Sequence, residues 1–378
     1  MREYALVRRR ACALPTSKDR RSHIKGTEEL HDHMLALEAQ DRFSGVVLIT
    51  QGHLRRYAEA FGYASRAWGI RNSFDVRFDT ASVTKLFTAV AVLQLVDENR
   101  LALDTSVVGF LGLSGTNISK DVTVYHLLTH TSGIGDDADE EAGESYEALW
   151  ADRPNYAVTE TADFLPQFVH KPSNFAPGQG CRYCNCGYVL LGLLVEQASG
   201  LSYRDYVQQN IFSRAKMDHS AFLRQDRVAE NVAEGADPIV DGMGHTTGWK
   251  RNIYSFPPIG SPDSGAYVTA TDLDHFVHAV KDGELLSSRL TKAFFTPQVD
   301  HRTVEGGTYR FGYGLGFYVD SSGRVVFGEK EGINSGVSAT VRHYMGHDLT
   351  VVILSNMENG AWEPIQRVHE SIVANLWA

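Results

Sequence analysis

The sequence predicts an α+β fold: one antiparallel sheet built from both chain ends, flanked by helices, with a mostly helical region inserted. Three observations carry this. Strand-like runs cluster in two places, residues 43–60 and 314–355. The turns inside each cluster are too short for parallel crossovers, which need a dozen or more residues. Between the clusters the apolar spacing is helical.

Each element follows in order. Residues 1–27 start basic and irregular and are expected to be a flexible tail. Glu28 to Asp41 sets Leu30, Met34 and Leu37 at helical spacing. Phe43 to Thr50 reads as a strand, Gln51-Gly52 as a turn, and Leu54 to Ala60 as the returning strand. Residues 28–103 and 244–378 are expected to form the α/β domain, and 104–243 the inserted helical region. Val189 to Gln197 and Tyr203 to Ile211 are the clearest helices of the insert. The acidic stretch Asp136 to Glu144 reads as a solvated loop. Four strands are expected near the end: Gly314 to Val319, Val325 to Glu329, Val337 to Tyr344 and Leu349 to Ser355. Pro364 to Trp377 closes the chain as a helix, with Ile365, Val368, Ile372 and Leu376 on one face and Pro364 in the first turn.

Composition removes several function classes. Lys+Arg total 36 against 46 Asp+Glu among 378 residues, a formal charge of −10, which argues against a nucleic-acid binder. A hydrophobic content of 43% is enough for a core, so wholesale disorder is excluded. No apolar run reaches the roughly 18 residues of a membrane span. Four cysteines are too few for a disulfide scaffold of this length. After Arg8, Arg9 and Arg10, the run Ala11 to Pro15 is too short and proline-broken for a signal sequence, so a cytoplasmic location is expected.

Three short motifs carry chemistry. In Ser82-Val83-Thr84-Lys85 the serine and lysine share one helical face, one turn apart. Serine needs an activating base, and a desolvated lysine is a candidate. Asp79 or Thr80 can cap a helix whose buried face would be Leu86, Val90 and Leu93. Ser82 would then sit among free N–H groups that favour a developing anion. Ser22-His23-Ile24-Lys25 and Ser213-Arg214-Ala215-Lys216 share the spacing but not the context. Tyr183-Cys184-Asn185 precedes an apolar helix, and Lys330-Glu331-Gly332 ends a strand.

In this order the three motifs resemble the serine β-lactamase and penicillin-recognising superfamily, closest to its class C branch. Leu127 to Gly133 and Gly265 to Leu273 are similar to further family segments, and the likeness runs over roughly residues 28 to 378. The resemblance implies roles. Ser82 would be the acylated nucleophile and Lys85 the charge beside it that shuttles its proton. Tyr183 would be the general base. A free phenol titrates near 10, so Lys85 and Lys330 would have to pull it down. Asn185 would hydrogen-bond the acyl amide or Lys85, and Lys330 would attract a substrate carboxylate. The N–H groups of Ser82 and Ile333 would form the oxyanion hole, and Gly332 would leave the strand edge open.

Two departures stand out. Glu331 replaces a residue that is commonly small or Thr, and it should point away from Lys330, behind the sheet. Cys181, Cys184 and Cys186 crowd the tyrosine motif, with no fourth ligand to suggest zinc. No metal and no cofactor is expected. The expected activity is a serine hydrolase acting through an acyl-enzyme on a small ester or amide, esterase-like or a D-amino-acyl peptidase or amidase. The alternatives are a class C-type β-lactamase, a D,D-peptidase, an acyltransferase, or a catalytically dead ligand-binding homologue.

Overall fold

A strand with no polar face has to be covered on both sides. Val46-Val47-Leu48-Ile49 and Val351-Val352-Ile353-Leu354 are such strands. The computed structural model describes residues 27–151 and 153–374 and lays helices on both faces of one sheet. The expected tail therefore lies outside the described residues, except for Thr27, which opens the first helix.

The elements that matter are α1 (Thr27–Ala39), β1 (Gly45–Gln51), β2 (Leu54–Phe61), α2 (Lys85–Asp97) and α3 (Asn185–Ser199). They continue as the hairpin β3 (Ala236–Val240) and β4 (Thr246–Arg251), then α4 (Ala270–Lys281). The last third holds β5 (Val299–Val304), β6 (Gly307–Phe311), β7 (Gly316–Asp320), β8 (Val325–Asn334), β9 (Val337–Tyr344), β10 (Leu349–Ser355) and α5 (Trp362–Val373). The main sheet has eight strands in the order β2-β1-β10-β9-β8-β7-β6-β5, paired antiparallel. The two chain ends meet where β1 pairs with β10.

Register sorts the two cores. Val47 lies opposite Ile353, and both pack under α1 and α5 with Leu30, Met34, Ile365 and Val368. Val46 lies opposite Leu354, and both face the larger core that holds α2, α3 and α4. A one-residue slip would exchange the two sets. Each buried aliphatic side chain contributes roughly 1.5–3 kcal/mol relative to exposure, so both layers are needed.

Several expectations change. The amphipathic face expected for α2 is absent, because every residue from Lys85 to Leu95 is buried between the sheet and the helices outside it. Tyr203 to Ile211 divides into a short helix, Tyr203–Val207, and a π-helical turn, Gln208–Phe212. The strands β3 to β6 were not expected. They are partly exposed, and their polar residues blur the period of two. The acidic stretch is not wholly solvated: Asp136 and Asp137 are buried. No helix among the described residues is long and apolar enough to cross a membrane.

Candidate active site

Ser82 is presented by a short strand, a strained residue and a helix start. Phe78–Asp79 pairs with Tyr267–Val268. The Asp79 carboxylate accepts the Ala81 N–H at 2.7 Å, and Ala81 takes a left-handed φ of 42°. Such a conformation costs a non-glycine residue about 1–3 kcal/mol and persists only where its surroundings impose it. Here the Thr80 N–H and hydroxyl both donate to the Ala266 carbonyl, at 3.0 and 2.8 Å, and the Ala266 N–H returns to the Thr84 hydroxyl at 3.0 Å. The segment Gly265 to Leu273 thus begins as a clamp on the serine turn. A 3₁₀ turn, Ala81–Thr84, then runs into α2.

The strand β8 closes against this turn. A Cβ on Gly332 would stand 2.2 Å from the Thr80 carbonyl oxygen and 2.9 Å from the Ser82 nitrogen. Gly332 is therefore required for close approach of two backbones, a different reason from the open edge expected of it. β7 pairs with β8 only as far as Glu329, so the edge from Lys330 to Asn334 has no neighbour on that side. Along this edge Lys330 and Gly332 are buried while Glu331 and Ile333 are exposed, the alternation of a strand.

Around Ser82 the side chains converge. Lys85 Nζ lies 2.9 Å from Ser82 Oγ, 2.7 Å from Asn185 Oδ1 and 2.8 Å from the Asp263 carbonyl. The Tyr183 hydroxyl donates to Ser82 Oγ at 2.9 Å. Lys330 Nζ lies 3.3 Å from that hydroxyl and 4.5 Å from the ring centre. Ser82, Lys85, Tyr183, Asn185 and Lys330 thus form one hydrogen-bonded chain. Ile333 is half exposed, and the part expected of it falls to its backbone N–H.

The electrostatics depart from expectation. Burial lowers the Lys85 amine from its ordinary 10.5, although the carboxylate of Asp263 opposes this. Lys330 falls to about 7, first through burial and then through repulsion by Lys85. Two lysines do flank Tyr183, yet its phenol is pushed well above 10, by loss of water first and then by Glu140. Glu331 rises to about 7, through desolvation and then the Glu329 carboxylate. Its exposed surface damps that rise. No partner is needed for it behind the sheet, where Arg342 is already held by Glu329 at 2.7 and 2.6 Å.

The acidic stretch has a role its composition did not reveal. Asp136 accepts the N–H groups of Asn185 and Cys186, both at 2.8 Å, and so caps α3. Asp139 holds Arg182 through two nitrogens, at 2.9 and 2.6 Å. Glu141 accepts the Tyr183 N–H at 2.8 Å, and Glu140 accepts Asn185 Nδ2 at 3.0 Å. Four carboxylates from residues 136–141 therefore grip residues 182–186. His130 packs 4.6 Å from the Tyr183 ring, centre to centre. Its Nδ1 accepts the Cys184 N–H, and burial holds its pKa well below 6.5, so the ring is neutral. Cys181, Cys184 and Cys186 are free thiols. Burial raises all three, which keeps them protonated and inert.

A helix-flanked antiparallel sheet with this serine turn against one strand has the architecture of the β-lactamase-type serine hydrolases. Residues 28–370 match the family model described as Beta-lactamase, and the chain belongs to that family. It is 27% identical over 354 residues to Penicillin-binding protein 4* of Bacillus subtilis (strain 168), covering 90% of this chain and 73% of that one. It is 37% identical over 165 residues to Esterase EstB of Burkholderia gladioli, 42% of each chain. The crystal structure of a penicillin binding protein from Bacillus halodurans superposes with a TM-score of 0.82 at 35% identity, covering 90% of this chain and 99% of that one. The protein is accordingly a β-lactamase-fold serine hydrolase.

Proposed function

We propose that this protein hydrolyses a small ester or amide through an acyl-enzyme on Ser82. The observation that carries the reading is that Lys85 Nζ and the Tyr183 hydroxyl each lie 2.9 Å from Ser82 Oγ. The lysine and tyrosine can hold one proton in two ways, as neutral amine and phenol or as ammonium and phenolate. Burial disfavours both charges, lowering Lys85 and raising Tyr183, so the ion pair is the costlier of these two arrangements.

A balanced cycle follows. Ser82 Oγ attacks the substrate carbonyl and passes its proton to Lys85. The N–H groups of Ser82 and Ile333 hold the oxyanion, each donor being worth about 3 kcal/mol. The Tyr183 hydroxyl protonates the leaving group as it departs. The site now holds ammonium and phenolate, the second arrangement, and Lys330 at 3.3 Å stabilises the phenolate. The phenolate then takes a proton from water, the hydroxide attacks the ester, and Lys85 returns its proton to Ser82. Tyr183 thus acts as general base in deacylation.

The surroundings favour substrates without a carboxylate. Glu140 occupies the Asn185 amide donor that would meet an acyl amide, and Glu331 adds negative charge beside Lys330. The likeness to penicillin-binding proteins supports a second reading, a β-lactamase or D,D-peptidase, and nitrocefin tests it directly.

The decisive experiment is a pre-steady-state burst with p-nitrophenyl acetate, whose leaving group needs no proton. Tyr183→Phe should release one nitrophenolate per chain and then turn over 10²- to 10⁴-fold more slowly than wild type. Ser82→Ala should show no burst. A surviving burst in Ser82→Ala, or steady turnover within a few-fold of wild type in Tyr183→Phe, would overturn the reading.

A further inference from the structure

Where the turn between β1 and β2 meets the end of α4, a second cluster of chemistry-bearing side chains gathers. His278 lies in the last turn of α4, Asp282 follows that helix, and His53 sits in the turn between β1 and β2. The rings of His53 and His278 stack with centres 4.3 Å apart. His53 Nε2 lies 3.4 Å from Asp282 Oδ2. One nitrogen of each ring and one Asp282 oxygen lie within 4.8 Å of one another.

His278 is the informative member. It is 6% exposed, and both of its ring nitrogens are buried without a hydrogen-bond partner. A neutral imidazole carries one N–H and one lone pair, so each is unmet, which is costly at such burial. Its Nε2 faces the Asp274 carboxylate at 3.7 Å, too far for a hydrogen bond, and Asp274 is fixed by the Thr50 hydroxyl at 2.6 Å. Metal-bound histidines commonly turn their second nitrogen toward such a carboxylate. The end of α4 also places helix carbonyls here, the pole that favours cations. Lys281, whose charge also reaches His278, is paired with Asp348 at 2.6 Å.

We propose that His53, His278 and Asp282 bind one divalent transition-metal ion of the zinc class. Two imidazoles and a carboxylate match the nitrogen and oxygen donors that zinc takes in open sites, with a fourth position for water. His53 and Asp282 are exposed and free to close on the ion, while buried His278 is held in place. The ion would tie the β1–β2 turn to the end of α4. It is a structural tie, separate from the residues that surround Ser82.

The test uses full-length, tag-free, chelator-treated protein titrated with Co²⁺ and with Zn²⁺. Wild type should show the visible absorption of four-coordinate Co²⁺ at one ion per chain, displaced by Zn²⁺. At saturating Zn²⁺ its thermal midpoint should rise by about 3 °C. His53→Ala and Asp282→Asn change exposed residues, so both should fold, bind at least tenfold more weakly, and lose that rise. His278→Gln should behave alike. Wild-type stoichiometry and affinity retained in His53→Ala and Asp282→Asn would overturn the proposal. So would wild-type binding no tighter than millimolar.

Discussion

Gly332→Ala asks whether the close contact between β8 and the serine turn is part of the chemistry. The added methyl would stand 2.2 Å from the Thr80 carbonyl oxygen, 2.9 Å from Ser82 N and 3.1 Å from Val83 N. All three are backbone atoms, so no side-chain rotation relieves the clash. Reaching an ordinary contact of 3.4 Å requires β8 and the Ala81–Thr84 turn to part by about 1 Å. Overpacking of this kind costs about 1–3 kcal/mol, or roughly 2–4 °C in Tm per kcal/mol. The catalytic loss is expected to be larger. Ser82 and Ile333, the two proposed oxyanion donors, lie on opposite sides of the gap. A misplacement of about 1 Å can lower the rate about 10²-fold, and loss of one donor lowers kcat about 10²- to 10³-fold. The assay is kcat on p-nitrophenyl acetate beside the thermal midpoint and the far-ultraviolet circular dichroism spectrum. A folded variant with kcat within threefold of wild type would refute the reasoning, because the strand would then have moved without consequence for the site.

Three further perturbations follow from the geometry. Asp79 rises from 3.8 to about 6 because it is buried. The folded state thus holds the extra proton between those values, and stability falls as pH rises from 4 to 6. Asp79→Asn keeps the acceptor for Ala81 and should stabilise by up to about 3 kcal/mol at pH 8 but not at pH 4; equal urea midpoint shifts at both pH values would contradict this. Asp136→Ala leaves the buried N–H groups of Asn185 and Cys186 without their acceptor, so unfolding free energy should drop by about 2–4 kcal/mol. Asp136→Asn should lose less, and denaturant titration of both variants gives the comparison. Glu140→Gln removes an exposed negative charge that opposes the loss of the Lys85 and Lys330 charges. Nitrocefin hydrolysis should rise against p-nitrophenyl acetate by no more than about fivefold, as a screened charge permits, and an unmoved ratio would count against Glu140 facing the substrate.

Much of this fold is legible in the chain because its period is local. Val337–Tyr344 and Leu349–Ser355 carry β-branched and aromatic residues between clear turns, and the observed strands have those bounds. The residues that meet at Ser82 were also visible as motifs, since each pairs a reactive side chain with a helix start or strand end. What was hidden lies between distant segments. Asp136 and Asn185 are 49 residues apart, and an acidic run defaults to solvent when read alone. Asp263 carries no spacing that marks it, and His130, though inside the segment Leu127 to Gly133, has nothing local that ties it to Tyr183. His53 and His278 come together across a turn and a helix end, so no linear ligand motif exists. β5 and β6 leave little mark on the sequence because exposed strands near a sheet edge have little apolar face.

The helix α2, buried from Lys85 to Leu95, divides the labour of the molecule. It cannot shift without disturbing the sheet on one side and α3 on the other, so the serine and its lysine are anchored in the most cooperative part of the structure. The residues that follow Glu141, 142–148, form instead an irregular, mostly exposed stretch beside the carboxylates that hold Tyr183 and Asn185. Such stretches tolerate substitution and insertion far better than packed elements do. A change of substrate preference can therefore be written into residues 142–148, which carry none of the four carboxylates that grip residues 182–186, while the reacting groups stay untouched. For engineering, randomising that stretch should yield altered selectivity at little loss of stability, whereas the same effort on α2 should yield mostly unfolded chains.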